Sequence, residues 1–180
     1  MFDTTGSNLY GEQKGIFHDL NNVGEYELAT MSFGQRFTIT PLQLITAVSA
    51  ISNNGVLMKP NIIKEVRDSD TGNITKTKPQ EVRQVISKET AETLMGMTEY
   101  VVTNGTGASA KVKGYSIGGK SGTTEPLEAN ASSGYIASFI GLAPTVNTQV
   151  VVLVILDNPN GPNGHQGGQV ARTCSSTDIK

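Results

Sequence analysis

The longest apolar run in the chain is Val150-Val151-Val152-Leu153-Val154-Ile155-Leu156, stopped by Asp157. It is far short of the ~20 residues a membrane-spanning helix needs. It is instead a candidate strand. A second run of the same kind, residues 136–142, precedes it, and only Ala143 and the turn-forming Pro144-Thr145-Val146-Asn147 (then Thr148-Gln149) separate the two, short enough for a hairpin. Residues 115–121 make a third candidate strand, flanked by glycine. From Gly105 onward the chain therefore reads as strand, turn and glycine, and the strands are expected to form one antiparallel sheet.

Upstream, the chain takes on the period of a helix. Thr40 is an N-cap candidate and Pro41 suits the first turn; Leu42, Ile45, Val48 and Ile51 line one face until Asn53-Asn54-Gly55 stops the pattern. Ser87 opens a second helix, with Leu94, Met97 and Val101 as its apolar face and Asn104-Gly105 as its stop. Met95 and Met97 are read as packing residues. Between the helices, residues 62–67, the turn Asp68-Ser69-Asp70-Thr71-Gly72 and residues 73–78 predict a hairpin polar enough to project. Glycine breaks any period before residue 38, which leaves loop and short elements there. The class is α+β, an antiparallel sheet flanked by helices. Residues 1–104 form a helical flank with a hairpin projecting at about 59–86, and residues 105–180 form the sheet portion. A chain of 180 residues can bury such a core without staples.

Charge and composition narrow the function. The 14 basic and 16 acidic residues are mixed along the chain, so no basic stripe offers itself to nucleic acid or an anionic membrane. The lone Cys174 excludes a disulfide within the chain, and His18 and His165 with it make no metal-ligand spacing, so no metal is expected. Met1-Phe2-Asp3-Thr4-Thr5 has neither the basic nor the apolar region of a signal peptide, and the chain taken alone is expected to be soluble.

The sharpest string is Gly114-Tyr115-Ser116-Ile117-Gly118-Gly119-Lys120-Ser121, which formally fits the phosphate-binding loop of an NTPase, with Asp157 as a possible magnesium-holding residue. That loop needs Lys-Ser to open a helix, so that backbone N–H groups face the phosphates. Gly122 follows at once, and Pro126 and Gly134 come soon after, which leaves no room for three helical turns. The other reading ends a strand with Lys120-Ser121-Gly122-Thr123 beside an active-site serine. Lys120 would hold a substrate carboxylate, the Ser121 and Thr123 hydroxyls would bond it, Gly122 would allow close approach, and the Thr123 N–H would serve an oxyanion hole.

Seven strings together resemble the C-terminal half of a class B penicillin-binding protein transpeptidase domain, most like the sporulation and cell-division members. They are Leu28-Ala29-Thr30-Met31-Ser32-Phe33-Gly34-Gln35, Thr38-Ile39-Thr40-Pro41-Leu42-Gln43-Leu44, Asn53-Asn54-Gly55, Gly105-Thr106-Gly107, Gly118-Gly119-Lys120-Ser121-Gly122-Thr123, Phe139-Ile140-Gly141-Leu142-Ala143-Pro144 and Gly167-Gly168-Gln169-Val170-Ala171. S-x-x-K, S-D-N and K-T-G are the signature set of such proteins. The resemblance implies a partial penicillin-binding (β-lactamase-like) fold and a serine enzyme. Such an enzyme attacks the D-alanyl-D-alanine end of a peptidoglycan stem peptide, forms an acyl-enzyme and passes the acyl group to a neighbouring amine. β-Lactams acylate the same serine. Lys120, Ser121 and Gly122 would be the third motif on a sheet-edge strand, with Thr123 supplying the oxyanion N–H. Thr124 would lie where bound peptide extends the sheet. No cofactor is implied, and the full-length protein would work at the extracytoplasmic face of the membrane.

The chain departs from the family at informative places. No S-x-x-K occurs in it, so nucleophile and activating lysine are missing; Ser52-Asn53-Asn54 reads as a helix stop and not as the second motif. Arg36-Phe37 replaces a smaller, apolar pair, and Arg172-Thr173-Cys174-Ser175-Ser176-Thr177 is helix-poor where the family has a helix. The expectation is one incomplete transpeptidase domain, inactive and prone to self-association alone; the competing class is a non-catalytic module that keeps only carboxylate recognition.

Overall fold

The structure is a computed structural model, which describes residues 3–7, 9–17, 19–124 and 134–159. The expectations placed on His18, His165, Cys174, the string at 167–171 and the tail beyond it lie outside the described residues.

Three helices and seven strands build the described chain: α1 (Glu25–Ser32), α2 (Pro41–Ser52), β1 (Val56–Met58), β2 (Glu65–Arg67), β3 (Ile74–Lys76), β4 (Glu81–Gln84), α3 (Lys88–Asn104), β5 (Gly118–Thr124), β6 (Ile136–Ala143) and β7 (Val150–Asp157). The α+β class holds, with β5, β6 and β7 in one antiparallel sheet in that order.

Local chemistry sets the helix ends. The Thr40 hydroxyl accepts the Gln43 N–H at 3.2 Å while the Gln43 side chain accepts the Thr40 N–H at 2.9 Å, so two of the backbone donors at the start of α2 are satisfied reciprocally. At its other end Asn53 caps, Asn54 and Gly55 turn left-handed at φ 55° and 81°, and a Cβ at Gly55 would overlap the Ile86 carbonyl. Ser52-Asn53-Asn54 is thus the helix stop expected of it. Ser87 caps α3 by accepting the Thr90 N–H at 3.2 Å.

The predicted hairpin is β2 and β3, paired Glu65 to Lys76 through Arg67 to Ile74, with every residue of both strands exposed. Asp68 closes its turn by accepting from the Asp70 N–H at 3.0 Å and from the Thr71 N–H and hydroxyl at 2.7 and 2.8 Å. On either side of it in the chain, β1 and β4 pair antiparallel.

The core gathers on the face of the sheet where α3 packs: Val102, Ala110, Ile117 and Phe139 form its buried centre, joined by Val112, Ala143, Val154 and Leu156. Here the buried side of α3 differs from the expected one. Ala91, Met95 and Val102 are buried, whereas Met97 is 59% exposed. The helix approaches β5 through small residues: a Cβ at Gly118 would overlap the Thr98 hydroxyl and stand 3.1 Å from Thr98 Cβ. Close approach, and not the largest side chains, chooses the buried stripe.

Two further expectations are corrected. The strand expected at 115–121 runs from Gly118 to Thr124: the register that pairs Gly118 with Leu142 would set Ser116 opposite Pro144, which has no N–H to give, and Ser116 bonds Thr145 instead. No helix opens at Lys120-Ser121; both residues lie inside β5 in an antiparallel sheet, which removes the phosphate-loop reading of residues 114–121 and the magnesium role of Asp157.

Candidate functional site

Strand β5 carries Lys120, Ser121, Gly122, Thr123 and Thr124 consecutively, paired with Ile140, Phe139, Ser138, Ala137 and Ile136 of β6. Among the described residues β6 is the only strand paired with β5, which stands at the edge of the described sheet. Side chains alternate along a strand, which puts Lys120 and Thr124 on one face and Ser121 and Thr123 on the other. Ser121 stands opposite Phe139, which is 1% exposed.

Glycine gives the strand its inner contacts. A Cβ at Gly119 would stand 2.5 Å from Phe139 Cζ, and one at Gly122 would stand 2.7 Å from Ser138 Oγ. The strand is thereby drawn against the core up to Gly119 and becomes exposed at Lys120. The lysine's Nζ donates to the Ser121 carbonyl at 2.6 Å, so its charge stays beside the backbone of its own strand.

Gly105-Thr106-Gly107, which has no place assigned from sequence, is brought by the structure to β5. The Gly105 and Gly107 N–H groups both donate to the Val101 carbonyl, at 3.1 and 3.0 Å, turning the chain out of α3. That turn sets the Thr106 hydroxyl 3.5 Å from the Ser121 hydroxyl. Two adjacent hydroxyls and an ammonium on the edge strand of the described sheet are groups that can bind an anionic group and a peptide backbone.

A second group was not foreseen. Thr145, in the turn between β6 and β7 and 8% exposed, donates its hydroxyl to Glu99 Oε2 of α3 at 2.8 Å. Its N–H donates to the Ser116 hydroxyl and carbonyl, both at 3.1 Å, and the Thr145 and Ser116 hydroxyls also bond each other. Glu99 and Thr145 are 46 residues apart, and neither stands in a recognisable motif, so no signal in the sequence could have joined them.

Comparison with known proteins agrees with this geometry. Stage V sporulation protein D of Bacillus subtilis is 43% identical over 160 residues, which cover 87% of this chain and 25% of that protein. A probable peptidoglycan D,D-transpeptidase PenA of Neisseria meningitidis is 32% identical over 167 residues, 92% of this chain and 27% of the relative. The chain thus spans about a quarter of the length of these curated relatives. Among solved structures, penicillin-binding protein 3 of Mycobacterium tuberculosis, complexed with aztreonam, superposes with a TM-score of 0.86 at 29% identity, over 99% of this chain and 43% of that one. The penicillin-binding protein transpeptidase domain matches residues 1–176, and the chain belongs to that family.

Proposed function

We propose that this chain is the C-terminal part of the catalytic domain of a peptidoglycan D,D-transpeptidase, with the nucleophilic serine and its activating lysine supplied by sequence outside these 180 residues. The observation that carries the reading is the placement of Lys120-Ser121-Gly122-Thr123 on the strand at the edge of the described sheet, with Lys120 exposed, in a chain of this family.

In this reading Lys120 attracts the terminal carboxylate of an acyl-D-alanyl-D-alanine stem peptide, or the carboxylate of a β-lactam. The Ser121 and Thr123 hydroxyls, on the other face of β5, meet the same group at the edge of the strand, where Lys120 Nζ turns to the Ser121 carbonyl, and the peptide lies along that edge as an added strand reaching Thr124. The Thr123 N–H faces the carbonyl oxygen as negative charge develops on it. The serine oxygen bonds to the penultimate carbonyl carbon, and the terminal D-alanine leaves with a proton on its nitrogen. A second stem peptide's amine then displaces the serine and closes the cross-link. The full-length protein would act on the extracytoplasmic side of the cell membrane, where its substrate lies; among the described residues no helix is long and apolar enough to cross a membrane.

The test is Lys120→Ala in the full-length protein that contains this segment. The rate of acylation by a labelled penicillin is expected to fall by about two orders of magnitude, roughly the 3 kcal/mol of a charge-assisted contact, with folding retained. A folded Lys120→Ala protein that acylates at the wild-type rate would remove the role given to this strand.

A further inference from the structure

We propose that Glu99 is a positioning residue for the strand that carries Lys120, acting through Thr145 and Ser116; the proposal rests on the reading of β5 as the substrate-binding strand. The proton count fixes the direction of the relay. Thr145 has one hydroxyl proton and gives it to Glu99 Oε2 at 2.8 Å. The bond between the two hydroxyls must then use the proton of Ser116, whose oxygen in turn accepts the Thr145 N–H at 3.1 Å. Both hydroxyl protons and the Thr145 N–H are used, and the carboxylate terminates the chain.

Its place in the fold gives the relay its consequence. Ser116 stands two residues before β5, Glu99 is on α3, and Thr145 is in the turn that follows β6. The ladder to β6 holds one edge of β5 along its whole length. Its start is held against α3 by Ile117, buried in one core cluster with Val102 of α3, by this polar tie and by the contact at Gly118, where an added Cβ would overlap the Thr98 hydroxyl and stand 3.3 Å from Thr145 Cγ2. Thr145 therefore touches both the tie and the close contact. Lys120 lies two residues further on, and productive geometry at a reacting centre tolerates errors of only about half an ångström. Loss of the carboxylate leaves the Thr145 hydroxyl, in a site 8% exposed, without its acceptor. The group then reorganises at the point where the strand is fastened.

The experiment measures acylation of the full-length protein by a fluorescent penicillin over a concentration series, separating the binding constant from the acylation rate constant. Glu99→Ala and the near-isosteric Thr145→Val are each expected to lower the rate constant about tenfold, with the end point still one label per folded molecule. Glu99→Gln, whose amide oxygen still accepts, and Thr145→Ser, which still donates, should hold the rate close to wild type. The Glu99→Ala/Thr145→Val double variant should lose no more than either single one, because the two act as one unit. Rate constants within about twofold of wild type in both truncated variants would overturn the proposal, as would a lower end point at an unchanged rate, which is what a merely structural role produces. A wild-type protein that fails to label would remove the underlying reading and the role of Glu99 with it; normal wild-type labelling with unmoved variants removes the role of Glu99 alone.

Discussion

A carboxylate that collects several donors at once is held in its charged form, and Glu12 is the clearest case in this chain. One of its oxygens accepts the Thr5 N–H and hydroxyl at 2.5 and 2.6 Å, the other the Ser7 N–H and hydroxyl at 3.2 and 2.8 Å. The Thr5 side-chain bond is the largest cause that brings its pKa from the ordinary 4.5 down to about 2. Asp68 is lowered for the same reason, led by the Thr71 N–H. Because the folded value is depressed, the stabilisation from Glu12 is fully present above the unfolded value of 4.5 and is lost as pH falls through about 2. An NMR titration of the Glu12 carboxyl carbon should show a midpoint near 2, and Thr5→Val should move it upward; a wild-type midpoint at the ordinary 4.5 would refute the contact.

At the scale of elements, two glycines of similar appearance in the sequence should behave oppositely. Gly96 lies inside α3 with nothing within 4 Å of an added Cβ, so Gly96→Ala should stabilise the chain by about 0.5–1 kcal/mol through helix propensity. Gly118→Ala would drive a methyl into Thr98 and should cost about 1–3 kcal/mol, with both changes read from urea denaturation midpoints. The pair shows what sequence reasoning could reach. The caps of α2, the turn at Asp68 and the apolar runs of β6 and β7 are local signals, and those elements stand where they were expected. The pairing of β1 with β4 is short and joins Val56 to Gln84 across the hairpin, beyond any local pattern. The buried stripe of α3 is set by Thr98 meeting Gly118, a contact between a polar residue and a missing side chain, which counting hydrophobicity does not register. The motif on β5 was legible as a string; its start at Gly118 was not, since the register that would set Ser116 opposite Pro144 is tertiary.

For the whole molecule, what the site contains and what it lacks lead to one prediction. Covalent capture of a β-lactam needs an attacking oxygen with a base beside it, and carboxylate binding or oxyanion donors accelerate nothing without one. Ser121 is near the Thr106 hydroxyl, and Ser116 gives its proton to Thr145; neither partner is a base. No S-x-x-K stands elsewhere in the 180 residues. The chain also shows large apolar side chains to water: Tyr26, Leu28 and Phe33, in and just after α1, are 65%, 63% and 70% exposed, and α1 buries no residue. A surface of that kind is expected to be covered by association, so sedimentation velocity on the purified chain should show a concentration-dependent species larger than the monomer. Incubated with a fluorescent penicillin and run on a denaturing gel, the chain should remain unlabelled, whatever its state of association. A longer protein that supplies S-x-x-K should label stoichiometrically, and labelling of the 180-residue chain at any of its own serines would show that the nucleophile lies within it after all.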